Sequence, residues 1–132
     1  MKLAKISLIA SAIGFFGFGL AFFIAPELLE RSGLAFTDPA ALIEIRAFYG
    51  GLQFGLTMFF IIALKNNWIV QGLSAQITIV GFVVLIRIAA SIMSNFHGNF
   101  MTYFYLAADT SLLILGLIAI SLYKKKTQGG LS

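Results

Sequence analysis

The chain has 132 residues, 60% of them hydrophobic and only 11% charged, with a mean hydropathy of +0.98. Soluble domains carry roughly 25% charged residues, so the composition is that of one small membrane domain. The net charge is +4 and there are no cysteines. No base-reading motif accompanies the lysines, which argues against a nucleic-acid partner, and disulfide, thiolate and iron–sulfur chemistry are excluded.

The first membrane helix is expected over about 6–25, close to the ~20 residues that a bilayer core requires. Lys2 and Lys5 followed by an apolar run resemble a signal peptide, but the run exceeds a typical h-region, and Phe23 and Pro26 flank the possible cleavage point poorly. A retained helix is therefore expected. Ala10, Gly14, Gly17 and Ala21 share one small-residue face suited to helix packing, which leaves Phe15, Phe16, Phe22 and Phe23 for lipid. Pro26 stops the helix, and Gly33 ends any short helix that Pro26 starts.

Asp38 and Pro39 form a start signal for a second helix over about 39–64. It carries the densest motif in the chain, Glu44-Ile45-Arg46-Ala47-Phe48-Tyr49-Gly50-Gly51-Leu52-Gln53-Phe54-Gly55. Ala47, Gly51 and Gly55 form a small-xxx-small ladder for helix packing. Arg46, Tyr49, Gly50, Gln53 and Thr57 form a polar stripe beside it, which is expected to face the interior of a bundle. Gly51-x-x-x-Gly55 could also drive association with a second copy, although packing on the first helix is the preferred reading.

Lys65-Asn66-Asn67 marks a tight turn, with Trp68 at the interface. The third helix is expected over about 68–94, with Arg87, Ser91 and Ser94 on one face. The fourth is expected over about 100–123, with Thr102, Tyr105, Asp109 and Gly116 on one face, followed by a tail over 124–132. Four spans place Lys2, Lys5, Lys65 and Lys124 to Lys126 on one side. The other side holds Arg31 among Glu27, Glu30 and Asp38. The lysine excess predicts both termini in the cytoplasm.

Charged groups inside the spans need compensation, since an intramembrane Arg costs about 2.5–3.5 kcal/mol even on insertion scales. Arg87 lies about 10 Å below the outer end of its helix and Asp109 about 13 Å below the outer end of the next. Antiparallel neighbours joined by a short turn bring these depths together, so an Arg87–Asp109 ion pair is expected. Glu44 and Arg46 enter from the same side at shallower depth and point different ways. Arg46 either snorkels outward or shares Asp109.

Three roles for this constellation remain open. The charges can form a purely structural network. They can line a pocket, made of Glu44, Arg46, Tyr49, Gln53, Arg87, Tyr105 and Asp109, in which the guanidinia clamp the head group of a lipid, quinone or other amphiphile. Asp109 can also belong to a proton or ion path, although no acid or histidine lies deeper to continue it. His97, the single histidine, cannot build a metal site or a bis-histidine haem alone. No nucleophile, phosphate loop or paired carboxylate is visible, so no catalytic residue, cofactor or metal is expected.

The run Glu44-Ile-Arg-Ala-Phe-Tyr-Gly-Gly-Leu resembles the signature of small bacterial membrane proteins grouped as domain of unknown function 4345, which are similar in architecture to DoxX/DoxD-like four-helix proteins. The resemblance extends over the glycine-rich first helix, Pro26, Gly33-Leu34, Arg87 and an acid on the fourth helix. The family usually has Glu at that last place, where this chain has Asp109. It often has an Asp-Gly turn after the arginine, where this chain has Asn95-Phe96-His97-Gly98. The resemblance implies a four-helix membrane fold without an established activity, and its DoxD-like relatives imply a quinone or lipid partner.

The expectation is thus an all-α, integral membrane four-helix bundle in a cell membrane, bacterial inner membrane by resemblance. Its leading role is to bind an amphiphile or to serve as an accessory subunit of a larger membrane protein or homo-oligomer. The alternatives are a membrane-embedded acid/base enzyme on a lipid or isoprenoid, with Asp109 as base, and a proton-coupled small transporter.

Overall fold

A computed structural model describes residues 2–129. Four long helices form the molecule: α1 (Lys2–Ile24), α2 (Ala40–Lys65), α3 (Ile69–Met93) and α4 (Phe100–Gly129). Each has the length and apolarity of a membrane span, and no strand occurs among the described residues. The protein is an all-helical, multi-pass membrane protein.

Three of the connections close by the same device. After the short 3₁₀ helix Pro26–Ser32, Gly33 takes φ +93° and the Leu34 N–H reaches back to the Leu29 carbonyl. At the end of α2, Asn67 takes φ +55° and the Trp68 N–H bonds the Ala63 carbonyl. At the end of α3, Asn95 takes φ +51° and the Phe96 N–H bonds the Ser91 carbonyl. A left-handed residue lets the chain reverse while it covers carbonyls that the helix end leaves bare, and glycine and asparagine tolerate that conformation best.

Two helix starts, those of α2 and α4, are held by side chains. Asp38 Oδ1 accepts the Ala40 N–H at 2.8 Å, and Asn99 Oδ1 accepts the Thr102 N–H at 3.1 Å. Asn99 also donates from Nδ2 to the Arg31 carbonyl at 3.0 Å, which ties the start of α4 to the α1–α2 connection. At its other end α4 runs on through Lys124 to Lys126 as far as Gly129, into the stretch expected to be tail. Lysines suit a helix C-terminus, where they oppose the helix dipole. The rest of that tail lies outside the described residues.

The core divides into two clusters, one at each end of the bundle. Ala4, Leu8, Ala12, Phe60, Ile69, Leu73 and Ala119 pack together near the termini, while Phe22, Leu29 and Ile45 pack at the far end. Both ends of the described chain therefore lie at the same end of the bundle. Helix α1 is central and touches α2, α3 and α4. Lipid supplies no hydrophobic drive between helices, so contact shape and buried hydrogen bonds must hold them.

One such contact was not foreseen. Gln76 is fully buried in α3; it accepts from Ser7 Oγ of α1 at 3.0 Å and donates from Nε2 to the Leu112 carbonyl of α4 at 2.9 Å. A Cβ placed on Gly116 would stand 2.9 Å from that Nε2, so the glycine makes room for the amide.

The small-residue faces need correction. Space is open at Gly14, Gly17 and Gly55, and the nearest atom to a Cβ on Gly51 would be a backbone oxygen of its own helix at 4.0 Å; Ala47 is exposed. The close approach of α1 to α2 occurs instead at Gly19 and Gly50. A Cβ on Gly19 would lie 2.9 Å from Gln53 Cβ, and one on Gly50 would lie 3.6 Å from the Gly19 carbonyl. Two causes are visible. Residues Arg46–Gly51 form a π-helical segment, whose wider turn breaks a ladder drawn at regular α spacing. On α1 the packed face is a different one, made of Ala4, Ser7, Leu8, Ser11, Ala12, Gly19 and Phe22. Of the four phenylalanines expected to meet lipid, only Phe16 and Phe23 are exposed, while Phe15 stacks on Phe60 with centroids 5.7 Å apart.

Candidate functional site

Arg87 and Asp109 are on adjacent antiparallel helices, and Arg87 Nη2 donates to Asp109 Oδ2 at 3.4 Å. Depth alone predicts this pairing, because two charges at one level in hydrocarbon have only each other. The pair is partly buried, with 29% and 25% of the two side chains exposed. The guanidinium also stands 5.6 Å from the centroid of the Tyr105 ring, a cation–π distance. Ser32 Oγ, from the 3₁₀ helix, donates to Tyr105 Oη at 3.2 Å.

Beside the pair lies a cavity of about 320 Å³, within the usual size range of small-molecule sites. All four helices contribute to it. Phe15, Phe18 and Phe22 of α1 form an aromatic wall; Tyr49 and Gln53 come from α2, Arg87 from α3, and Tyr105 and Asp109 from α4. Phe18 meets Tyr105 edge-on at 5.9 Å, and Phe22 meets Tyr49 edge-on at 5.7 Å, so the tyrosines hold the wall in place. Among the described residues, Arg87 Nε and Gln53 Oε1 are buried without a hydrogen-bond partner. Buried polar atoms of this kind are uncommon and call for a reason.

The polar stripe of α2 divides at this point. Gly50, Gln53 and Thr57 turn inward, with Thr57 Oγ1 donating to the Gln53 carbonyl at 2.9 Å. Arg46 does not share Asp109. It is exposed, and its Nε donates to the Phe23 carbonyl of α1 at 3.0 Å. Glu44 is exposed too, in a depression outside the cavity that it shares with Phe48 and Leu52 and also with Tyr49 and Gln53, which line both hollows. Of the seven residues expected to form one pocket, the structure gathers Tyr49, Gln53, Arg87, Tyr105 and Asp109, and leaves out Glu44 and Arg46. The idea of two guanidinia clamping one head group therefore falls. The shift has a cause: the π segment begins at Arg46 and separates its direction from that of Gln53.

Sequence reasoning missed the α1 wall and Ser32. The aromatic residues of α1 carried no signal separating a lipid-facing ring from a cavity-facing one. The Arg87 helix face fared better. Arg87, Ser91, Ser94, His97 and Thr102 line an open groove of about 720 Å³ on the outside of the α3–α4 pair. Ser91 Oγ donates to the Arg87 carbonyl at 2.8 Å and Ser94 Oγ to the Ala90 carbonyl at 2.9 Å, so these hydroxyl hydrogens are already used. No group of histidines and acids able to hold a metal occurs among the described residues.

A family model described as domain of unknown function (DUF4345) matches residues 3–121, nearly the whole chain. No curated protein and no solved structure matches it.

Proposed function

The chain belongs to the DUF4345 family, whose description carries no activity, and from the site itself we propose that it is a small membrane protein that holds an amphiphile in the cavity beside Arg87 and Asp109. The supporting observation is the cavity's division of labour. Its lining combines three phenylalanines with an arginine, a carboxylate and two tyrosines. An apolar body with one polar end fits such a surface, because pockets of this type bind through apolar contact and fix orientation with few polar groups.

The lysine excess at the end bearing the termini supports a cytoplasmic placement of both termini in a cell membrane, with the cavity in the opposite leaflet. The chain has no native cysteine, so a single Ser94→Cys substitution reports this directly. A membrane-impermeant maleimide is expected to label it in intact cells; labelling only after lysis would reverse the orientation.

Native mass spectrometry of gently purified protein is the direct test of binding. A bound amphiphile is expected to be retained by the native chain and lost from Ile79→Phe, which fills the cavity from α3. A native chain that repeatedly appears as bare polypeptide would sink the proposal.

A further inference from the structure

The cavity and the outer groove are continuous in their walls. Val83, Arg87 and Thr102 line both, so Arg87 stands where the two hollows meet. The groove has two halves. Toward the bilayer centre it is apolar, with Phe82 and Ile86 62% and 61% exposed on α3. Toward the α3–α4 turn it is polar, with Ser91, Ser94 and His97.

The polar half offers little to a head group. The Ser91 and Ser94 hydroxyls donate to carbonyls of their own helix, and Thr102 Oγ1 donates to Asn99 Oδ1 at 3.2 Å. His97 Nδ1 lies 2.7 Å from the Ser94 carbonyl, so its ring N–H is spent there as well. The cavity is different. Tyr49, 42% exposed and lining both the cavity and the depression beside Glu44, makes no hydroxyl hydrogen bond among the described residues. Tyr105 accepts from Ser32 and keeps its own hydrogen free. Arg87 gives Asp109 a single contact and has further N–H groups to offer. Free donors therefore gather in the cavity, and bare apolar surface gathers in the deep half of the groove.

We infer that the ligand is a single-chain amphiphile with a hydrogen-bond-accepting head, such as a carboxylate or ester carbonyl, and that it reaches the cavity sideways from the bilayer between α3 and α4. Its head meets Tyr49, Tyr105 and Arg87, and its chain lies in the groove along Phe82 and Ile86. This rests on the reading that the cavity binds an amphiphile, and it adds the head chemistry and the route. Arg87 sits at the threshold, where it can contact the head while the chain remains outside.

Photo-crosslinking in lipid nanodiscs tests it with two probes, a palmitic acid bearing a mid-chain diazirine and a butyric acid bearing the same group. In the native chain the palmitic probe is expected to label the α3 groove around Phe82 and Ile86, and the butyric probe the cavity residues. Ile86→Trp plugs the groove at a lipid-exposed position. It should lower palmitic labelling roughly tenfold, equivalent to losing about 1.4 kcal/mol of chain contact, and leave butyric labelling unchanged, because the short water-soluble probe occupies no part of the groove and does not depend on it for entry. Ile114→Trp, on an exposed face of α4 that lines neither hollow, should change neither. If palmitic acid labels the cavity but not the groove, and Ile86→Trp has no effect, access is from water. The inference then fails while the binding reading stands. If neither probe labels the cavity, both fail.

Discussion

Arg87→Ala is expected to destabilise the bundle by about 3–5 kcal/mol, and Arg87→Ala combined with Asp109→Ala by clearly less than that. Either single change strands an ionised group against hydrocarbon and aromatic rings, whereas the double change removes the problem. The side chains are 29% and 25% exposed, so the lower end of the range is the better expectation. The comparison is a double-mutant cycle read by detergent-induced unfolding. Costs that simply add would show that a 3.4 Å contact exists without energetic coupling, and the structural account of the site would fall with it.

The second large effect is expected at the opposite end of the bundle. Gly116→Val should cost about 1–3 kcal/mol, the usual penalty for overpacking a tight interior. The colliding atom would be Gln76 Nε2, only 2.9 Å from the new Cβ. That amide cannot swing aside freely, since it is held by Ser7 on one side and the Leu112 carbonyl on the other. Gln76→Ala by itself should be milder, because interhelical hydrogen bonds in membranes average about 0.6 kcal/mol. In the Gln76→Ala background the Gly116→Val penalty should shrink. Thermal unfolding of the four proteins decides the matter; an unchanged penalty would mean that Ile77, at 3.2 Å, is the true obstacle.

These two sites differ in how legible they were. The Arg87–Asp109 pair follows from residue counting, because a short turn makes α3 and α4 antiparallel and helix rise fixes depth. The inward face of α4 was readable for the same reason: Thr102, Tyr105, Asp109 and Gly116 keep one helical phase without interruption. The start at Asp38 and the turns at Gly33 and Asn67 were readable from local chemistry.

Arg46 was not readable, because its partner is a backbone carbonyl, and every residue owns one. The small-residue ladders misled because glycine and alanine suit a lipid-facing surface as well as a packed one. Only contact with Gln53 and Phe54 singles out Gly19. The π segment was invisible because its sequence could equally continue an α-helix, and it is tertiary packing at Gly50 that accompanies the wider turn. Gln76 did carry a signal: an amide in the middle of an apolar span that needs partners there. Ser7 on α1 was the complementary half of that signal.

The central position of α1 has a consequence for biosynthesis. Of the four helices, the one synthesised first is the one around which the other three close. While it waits in the membrane, Ser7 has no Gln76 to meet, and the carbonyl of Phe23 has no guanidinium. A nascent chain halted after α2 would hold only one of α1's three neighbours, so assembly is completed only when the last span arrives. Truncation from the carboxyl end should therefore yield a protein that is cleared by quality control.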